Sequence, residues 1–210
     1  MTQRTLSVSR LTLNFDGTPV LKDVSFSCDE GSLTAVTGAN GSGKTSLLNV
    51  LSGLVLPSAG DIRIGECDCR SHWTPQKSHR LGVRRTFQIP RNWESLDLLE
   101  NLTIAGATPD AARAELDVAL TGIGLRRSPT ELSFGQRRLL EVLRIRLSRG
   151  TCTVLLLDEP LAGLDAVNAA RVQRIVASVR ADGAAVLVTE HHPERWADVS
   201  HTLALSPSNG

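Results

Sequence analysis

The apolar and polar positions of this chain change period several times. Residues 1–30 alternate, with Leu6, Val8, Leu11 and Leu13 and then Val24 and Phe26 set between polar neighbours. A period of two predicts antiparallel strands with one wet face, and Ile62 and Ile64 extend the pattern. Residues 33–37 and 154–158 are apolar without alternation, which predicts strands buried on both faces of a parallel sheet. A helical period follows the first of them over 46–54, closed by Gly53. Residues 109–121 are helical in pattern, with Thr108 ahead of Pro109 as a start signal. After residue 158 the pattern gives a helix over 166–181, a turn at Asp182-Gly183 and a strand over 184–189. The segment from Leu132 opens with a capping box, Ser133 and Gln136, and puts Leu139, Val142, Leu143 and Leu147 on one face. Arg137, Arg138, Glu141 and Arg144 are expected largely off that face. The sum is an α/β fold: a parallel-sheet core, an antiparallel β subdomain, and a small helical subdomain inserted at about 92–150.

Chemistry gathers where these elements meet. Gly38, Ala39, Asn40, Gly41, Ser42, Gly43, Lys44 and Thr45 spell GANGSGKT between the buried strand and the helix. This is a complete phosphate-binding loop in the right context. The glycines let backbone N–H groups converge on an anion, and the helix N-terminus adds its dipole. Lys44 supplies a point charge for the β- and γ-phosphates, Thr45 a hydroxyl for Mg²⁺, and Ser46 reaches the α-phosphate. The strand over 154–158 ends in Asp158 and Glu159, where open α/β sheets place ligands. Neighbouring strand residues point apart, so Asp158 is expected to hold the metal and Glu159 to polarise the attacking water.

GANGSGKT, Gln88, LSFGQ, VLLLDEP with AGLD, and the histidine of EHH occur in the order found in ABC-type ATPases, which the chain resembles from about Leu6 to Leu205. The resemblance implies a P-loop NTPase core, with residues 1–210 forming a single ABC ATPase domain. It implies that Phe15 stacks on adenine, where the family more often has Tyr. It implies that Gln88 touches Mg²⁺ and the attacking water, and that His191 contacts the γ-phosphate. Ser133 and Gly135 match the residues that bind the γ-phosphate of an opposite subunit, and Asp165 the aspartate that communicates across the dimer. The implied function is an ATP-hydrolysing subunit that powers transport through a separate transmembrane permease, as a homodimer or a heterodimer with another ABC ATPase. A soluble ABC ATPase driving a cytoplasmic assembly, of the iron–sulphur scaffold type, uses the same motifs. RTFQ, Phe134 and GQRRLLEVLR resemble the branched-chain amino-acid importer group. The length resembles the small ATPases of haem or natural-product export, so the direction of transport stays open.

Composition narrows the partners. With 23 basic and 22 acidic residues, no net field favours nucleic acid. No apolar run approaches the roughly 20 residues that span a bilayer, and the first ten residues lack an apolar signal core. The expected location is the cytoplasm, peripheral on the inner face of the cell membrane. Cys28, Cys67, Cys69 and Cys152 suit a reducing compartment. Cys67, Cys69 and His72 are too few for a metal site and are read as free thiols with a neighbouring histidine. Trp93, with Leu96, Leu98 and Leu99, is either an anchor of local packing or part of a groove that receives a membrane partner.

Overall fold

A computed structural model describes residues 4–69, 73–148 and 150–206. In chain order the elements are β1 (Arg4–Phe15), β2 (Thr18–Asp29), β3 (Leu33–Thr37), α1 (Lys44–Leu51), β4 (Ala59–Ile64), β5 (Cys67–Asp68), α2 (Pro75–Arg80) and β6 (Val83–Arg85). They continue with α3 (Leu98–Ala105), α4 (Pro109–Ala119), α5 (Phe134–Arg146), β7 (Val154–Asp158), α6 (Ala166–Ala181), β8 (Ala185–Thr189) and β9 (His201–Ala204). The described residues fall into two compact units. The first runs to Arg85 and adds Cys152–Asp158 and everything from Arg180 onward; the second is Thr86–Thr151 with Glu159–Val179.

The first unit holds both sheets. The antiparallel sheet has the order β2-β1-β4-β5, and the other has the order β6-β7-β8-β3-β9 with every pairing parallel. Leu33–Thr37, Val154–Asp158 and Ala185–Thr189 are buried almost throughout, the behaviour expected of parallel strands covered on both faces. The alternation in β1 slips from even to odd between Val8 and Leu11, and the register against β2 shifts there. Arg10 takes a left-handed φ of 48° at the slip, so one extra residue is absorbed as a bulge and Leu11 and Leu13 return to the core. Opposite it, a Cβ on Gly60 would lie 2.4 Å from the Arg10 carbonyl oxygen, so the bulge requires a glycine there. The core of this unit joins Leu6, Val8, Leu11 and Leu13 to Leu47, Leu48 and Leu51 of α1 and to Leu156 and Leu187 of the parallel sheet. Trp73, buried, donates its indole N–H to the Val50 carbonyl at 2.7 Å and closes the far end of α1.

The second unit is helical. α3 begins at a capping box of Asp97 and Glu100, α4 at Thr108, and α5 at the box of Ser133 and Gln136. Sequence periodicity misses α3 and the short α2, and it places the first helix of the chain two residues late: α1 starts at Lys44. It also misjudges α5. Arg138 and Glu141 are not off the buried face; they are 0% and 1% exposed, because the helix is covered nearly all round.

Candidate nucleotide site

The phosphate loop grows from the end of β3. Gly38, Gly41 and Gly43 have φ of 150°, 79° and 91°, conformations that favour glycine. A Cβ on Gly38 would lie 2.4 Å from the Ser42 hydroxyl and 2.5 Å from the Leu205 carbonyl, and one on Gly43 would lie 2.8 Å from the Leu21 side chain. The loop is therefore packed to the backbone on both flanks. Gly43 caps α1 without a side-chain hydrogen bond, so the first-turn amides have no side-chain acceptor from the cap. The Lys44 ammonium, buried in the loop, donates to the carbonyls of Gly38 at 2.7 Å and Ala39 at 3.1 Å. Ala39, Asn40, Gly41 and Thr45 are exposed or nearly so, and Ser46 is half-buried.

At the neighbouring end of β7, Asp158 is 2% exposed. Its Oδ1 accepts from the Thr45 hydroxyl at 3.3 Å and the Thr189 hydroxyl at 2.9 Å, and its Oδ2 meets Arg85 at 3.3 Å. Arg85 also donates to Asn49 Oδ1 at 2.7 Å and Ser52 Oγ at 3.0 Å. Sequence reasoning does not single out Arg85 or Thr189. The available signal is position: both stand at the C-terminal ends of buried parallel strands, beside β7. The oxygens of Thr45 and Asp158, hard donors at about an octahedral edge apart, fit a small divalent cation. Phe15, the last residue of β1, is 48% exposed. His191 is exposed just after β8, and His192 beside it pairs with Glu194 at 2.9 Å.

The remaining sequence-predicted residues belong to the second unit. Glu159 follows Asp158 directly and has φ of 44°. A left-handed backbone at a non-glycine residue costs about 1–3 kcal/mol, and such strain gathers at functional sites. Gln88 is exposed, and its carbonyl is held by Arg138 at 2.6 Å. Ser133 is exposed at the N-cap of α5, and Gly135 is buried under Asn168. A Cβ at Gly135 would come 2.8 Å from Asn168 Nδ2. Asn168 is fixed in turn by Asp165, whose carboxylate accepts its main-chain N–H at 2.8 Å and its side-chain amide at 2.7 Å. The main-chain hydrogen bond from Asn168, with its side-chain amide, holds the Asp165 carboxyl below its ordinary pKa. Gly135 and Asp165 thus both stand against one asparagine. Trp93 is 43% exposed, with the Arg144 guanidinium 4.2 Å above its ring.

The four cysteines are free thiols. None of the four is in a disulfide, and burial pushes Cys28, Cys69 and Cys152 up to about 11. His72 lies outside the described residues. Among the described residues no group of histidine, cysteine and carboxylate side chains could hold a metal on its own, and no helix is long and apolar enough to cross a membrane.

The family model described as "ABC transporter" matches residues 21–162. A Streptomyces coelicolor protein described as a putative ABC transporter ATP-binding protein is 35% identical over 94% of this chain, which spans 35% of that relative's length. The chain spans about a third of the length of the first curated relatives it matches. The high-affinity branched-chain amino acid transport ATP-binding protein LivG of Salmonella typhimurium is 31% identical over 91% of this chain and 83% of its own length. The solved structure of an ATP-binding subunit of an ABC transporter superposes with a TM-score of 0.77 at 26% identity, covering 92% of this chain and 83% of that one.

Proposed function

The chain belongs to the ABC transporter family, and we propose that it is the ATP-binding and ATP-hydrolysing subunit that powers transport through a separate transmembrane permease. The observation that carries this reading is the pairing of a complete phosphate loop with Asp158, whose Oδ1 stands 3.3 Å from the Thr45 hydroxyl. Lys44 and the loop amides hold the phosphates of ATP, Ser46 the α-phosphate, and Phe15 the adenine. Thr45, Asp158 and Gln88 hold Mg²⁺, which when bound neutralises phosphate charge. Glu159 accepts the proton of the water that attacks the γ-phosphorus, and His191 steadies the γ-phosphate.

Donors on the loop reach the γ-phosphate from one side only. A second helix N-terminus, carrying Ser133 and Gly135, covers the other side when it comes from a head-to-tail partner, with Asp165 beside it. Residues 1–210 then form one ATPase domain of a homodimer or heterodimer, peripheral on the cytoplasmic face of a membrane. The likeness to LivG supports an importer of the branched-chain amino-acid type. Tagged Glu159→Gln protein captured with ATP after mild detergent extraction tests the proposal. It is expected to be dimeric by light scattering and to bring a polytopic membrane protein in stoichiometric yield. A monomer at saturating ATP, or recovery of soluble partners alone, would overturn it.

A further inference from the structure

We infer that Arg138 is a positioning residue that fastens the main chain of the Gln88 segment to the helix bearing Ser133 and Gly135, so that all three are carried as one body. Arg138 heads the fully buried side chains among the described residues. Its Nη1 donates to the Phe87 carbonyl and to Glu141 Oε2, both at 2.6 Å, and its Nη2 to the Gln88 carbonyl at 2.6 Å. Glu141 uses its other oxygen to accept the Arg91 amide at 3.1 Å. Arg144 donates to the Arg91 carbonyl at 2.6 Å, and Asn92 donates to the Arg137 carbonyl at 3.0 Å. The guanidinium of Arg91 lies 3.9 Å over the Phe87 ring and stiffens the segment from outside. The main chain is therefore held on both sides of Ile89 and Pro90, and every one of these main-chain anchors stands on α5.

Stability alone does not account for the arrangement. A buried arginine–carboxylate pair is commonly no more stable than apolar residues of the same volume. An apolar core could not grip two successive carbonyls, and a lysine has no planar fork to do so. What the pair supplies is register between a loop and a helix. The Gln88 carbonyl is held while the residue itself is exposed to solvent, so a ligand that moves Gln88 moves α5 as well. A helix is stiff over one or two turns, and Ser133 caps the same helix.

This inference rests on the function proposed above, and the test separates the two. Amide hydrogen exchange is followed by mass spectrometry in Glu159→Gln protein with and without ATP, at residues 38–46 and 132–137. The parent is expected to acquire ATP-dependent protection in both segments. Adding Arg138→Lys is expected to leave the ATP midpoint at 38–46 within about twofold and to cut the protection at 132–137 about tenfold or more. Adding Glu141→Gln, which keeps an acceptor for Arg91, is expected to cut it by a smaller factor of about two to five. A loss spread equally over both segments would mean general loosening and overturns the inference. So does protection at 132–137 that stays within about twofold of the parent in both variants. A parent without protection at 132–137 overturns the proposed dimer reading, and the inference with it.

Discussion

Arg85 meets Asp158 across the ends of two parallel strands, whereas Arg138 meets Glu141 one turn along a single helix. Both pairs are buried, yet their centres differ. In the first unit the acid is the hub: Thr45, Thr189 and Arg85 all donate to Asp158. In the second the arginine is the hub, shared among Phe87, Gln88 and Glu141 as acceptors. Donors gathered about an acid fix its carboxylate at the strand ends, where a cation would have to take the place of one of them. Acceptors gathered about a guanidinium leave no ligand site and instead fix a loop. On the function and the inference proposed above, the same kind of pair serves chemistry in one place and placement in the other, and the groups that surround it decide which.

The largest effect separates chemistry from both pairs. Glu159→Gln replaces neither arginine nor its acid and is expected to lower ATP hydrolysis by about 10²–10⁴-fold in a phosphate-release assay, with ATP still bound. Next, Arg85→Met leaves the Asp158 charge buried without its guanidinium and should cost about 3–5 kcal/mol in urea unfolding. If the acid is the hub, Arg85→Met with Asp158→Leu recovers most of that loss; no recovery would erase the distinction drawn between the pairs. A smaller effect contrasts the two glycine sites. Gly135→Ala should lower stability by about 1–3 kcal/mol, since its Cβ meets Asn168 Nδ2 at 2.8 Å, and Asn168→Ala should relieve it. Gly38→Ala should not be relieved by Ser42→Ala, because the Leu205 carbonyl stands 2.5 Å away. The smallest effect concerns the acid that caps α3. Burial alone would raise the Asp97 carboxyl, but hydrogen bonds from Arg126 and the Glu100 amide hold it below its ordinary value. Its contribution at the α3 cap is therefore complete above the unfolded pKa and is lost as pH falls through the lower folded value. Thermal melts between neutral and acidic pH check this, and Asp97→Asn should flatten the slope.

Much of the fold is legible without coordinates because the chemistry is contiguous. GANGSGKT sits between a strand and the next helix, VLLLDEP is a strand with its two acids at the end, and parallel strands buried on both faces show as unbroken apolar runs. The bulge in β1 leaves a trace too: the apolar positions step from Val8 to Leu11, and a phase slip in a period-two pattern requires an extra residue. Arg138 and Glu141 leave far less. An amphipathic reading assigns charge to the wet side, but α5 is covered by a segment 50 and 51 residues earlier in the chain. No local period reports a partner that distant. The remaining cue is an arginine and a glutamate three apart within RLLE, a spacing that lets them pair on one helix face. Arg85 escapes for the same reason, since its acid lies 73 residues downstream.

Lys44 closes on the carbonyls of Gly38 and Ala39. Two of the three ammonium N–H bonds are thus engaged within the loop, and an anion that draws them away competes with acceptors the protein carries within itself. Binding is an exchange reaction, in which the hydrogen bonds surrendered offset the first ones formed with the ligand. A lone phosphate group does little more than replace what the lysine already has. A chain of phosphates replaces it and then engages the loop amides as well. The loop thereby grades its ligands by how far their charge extends, before any residue outside it has taken part.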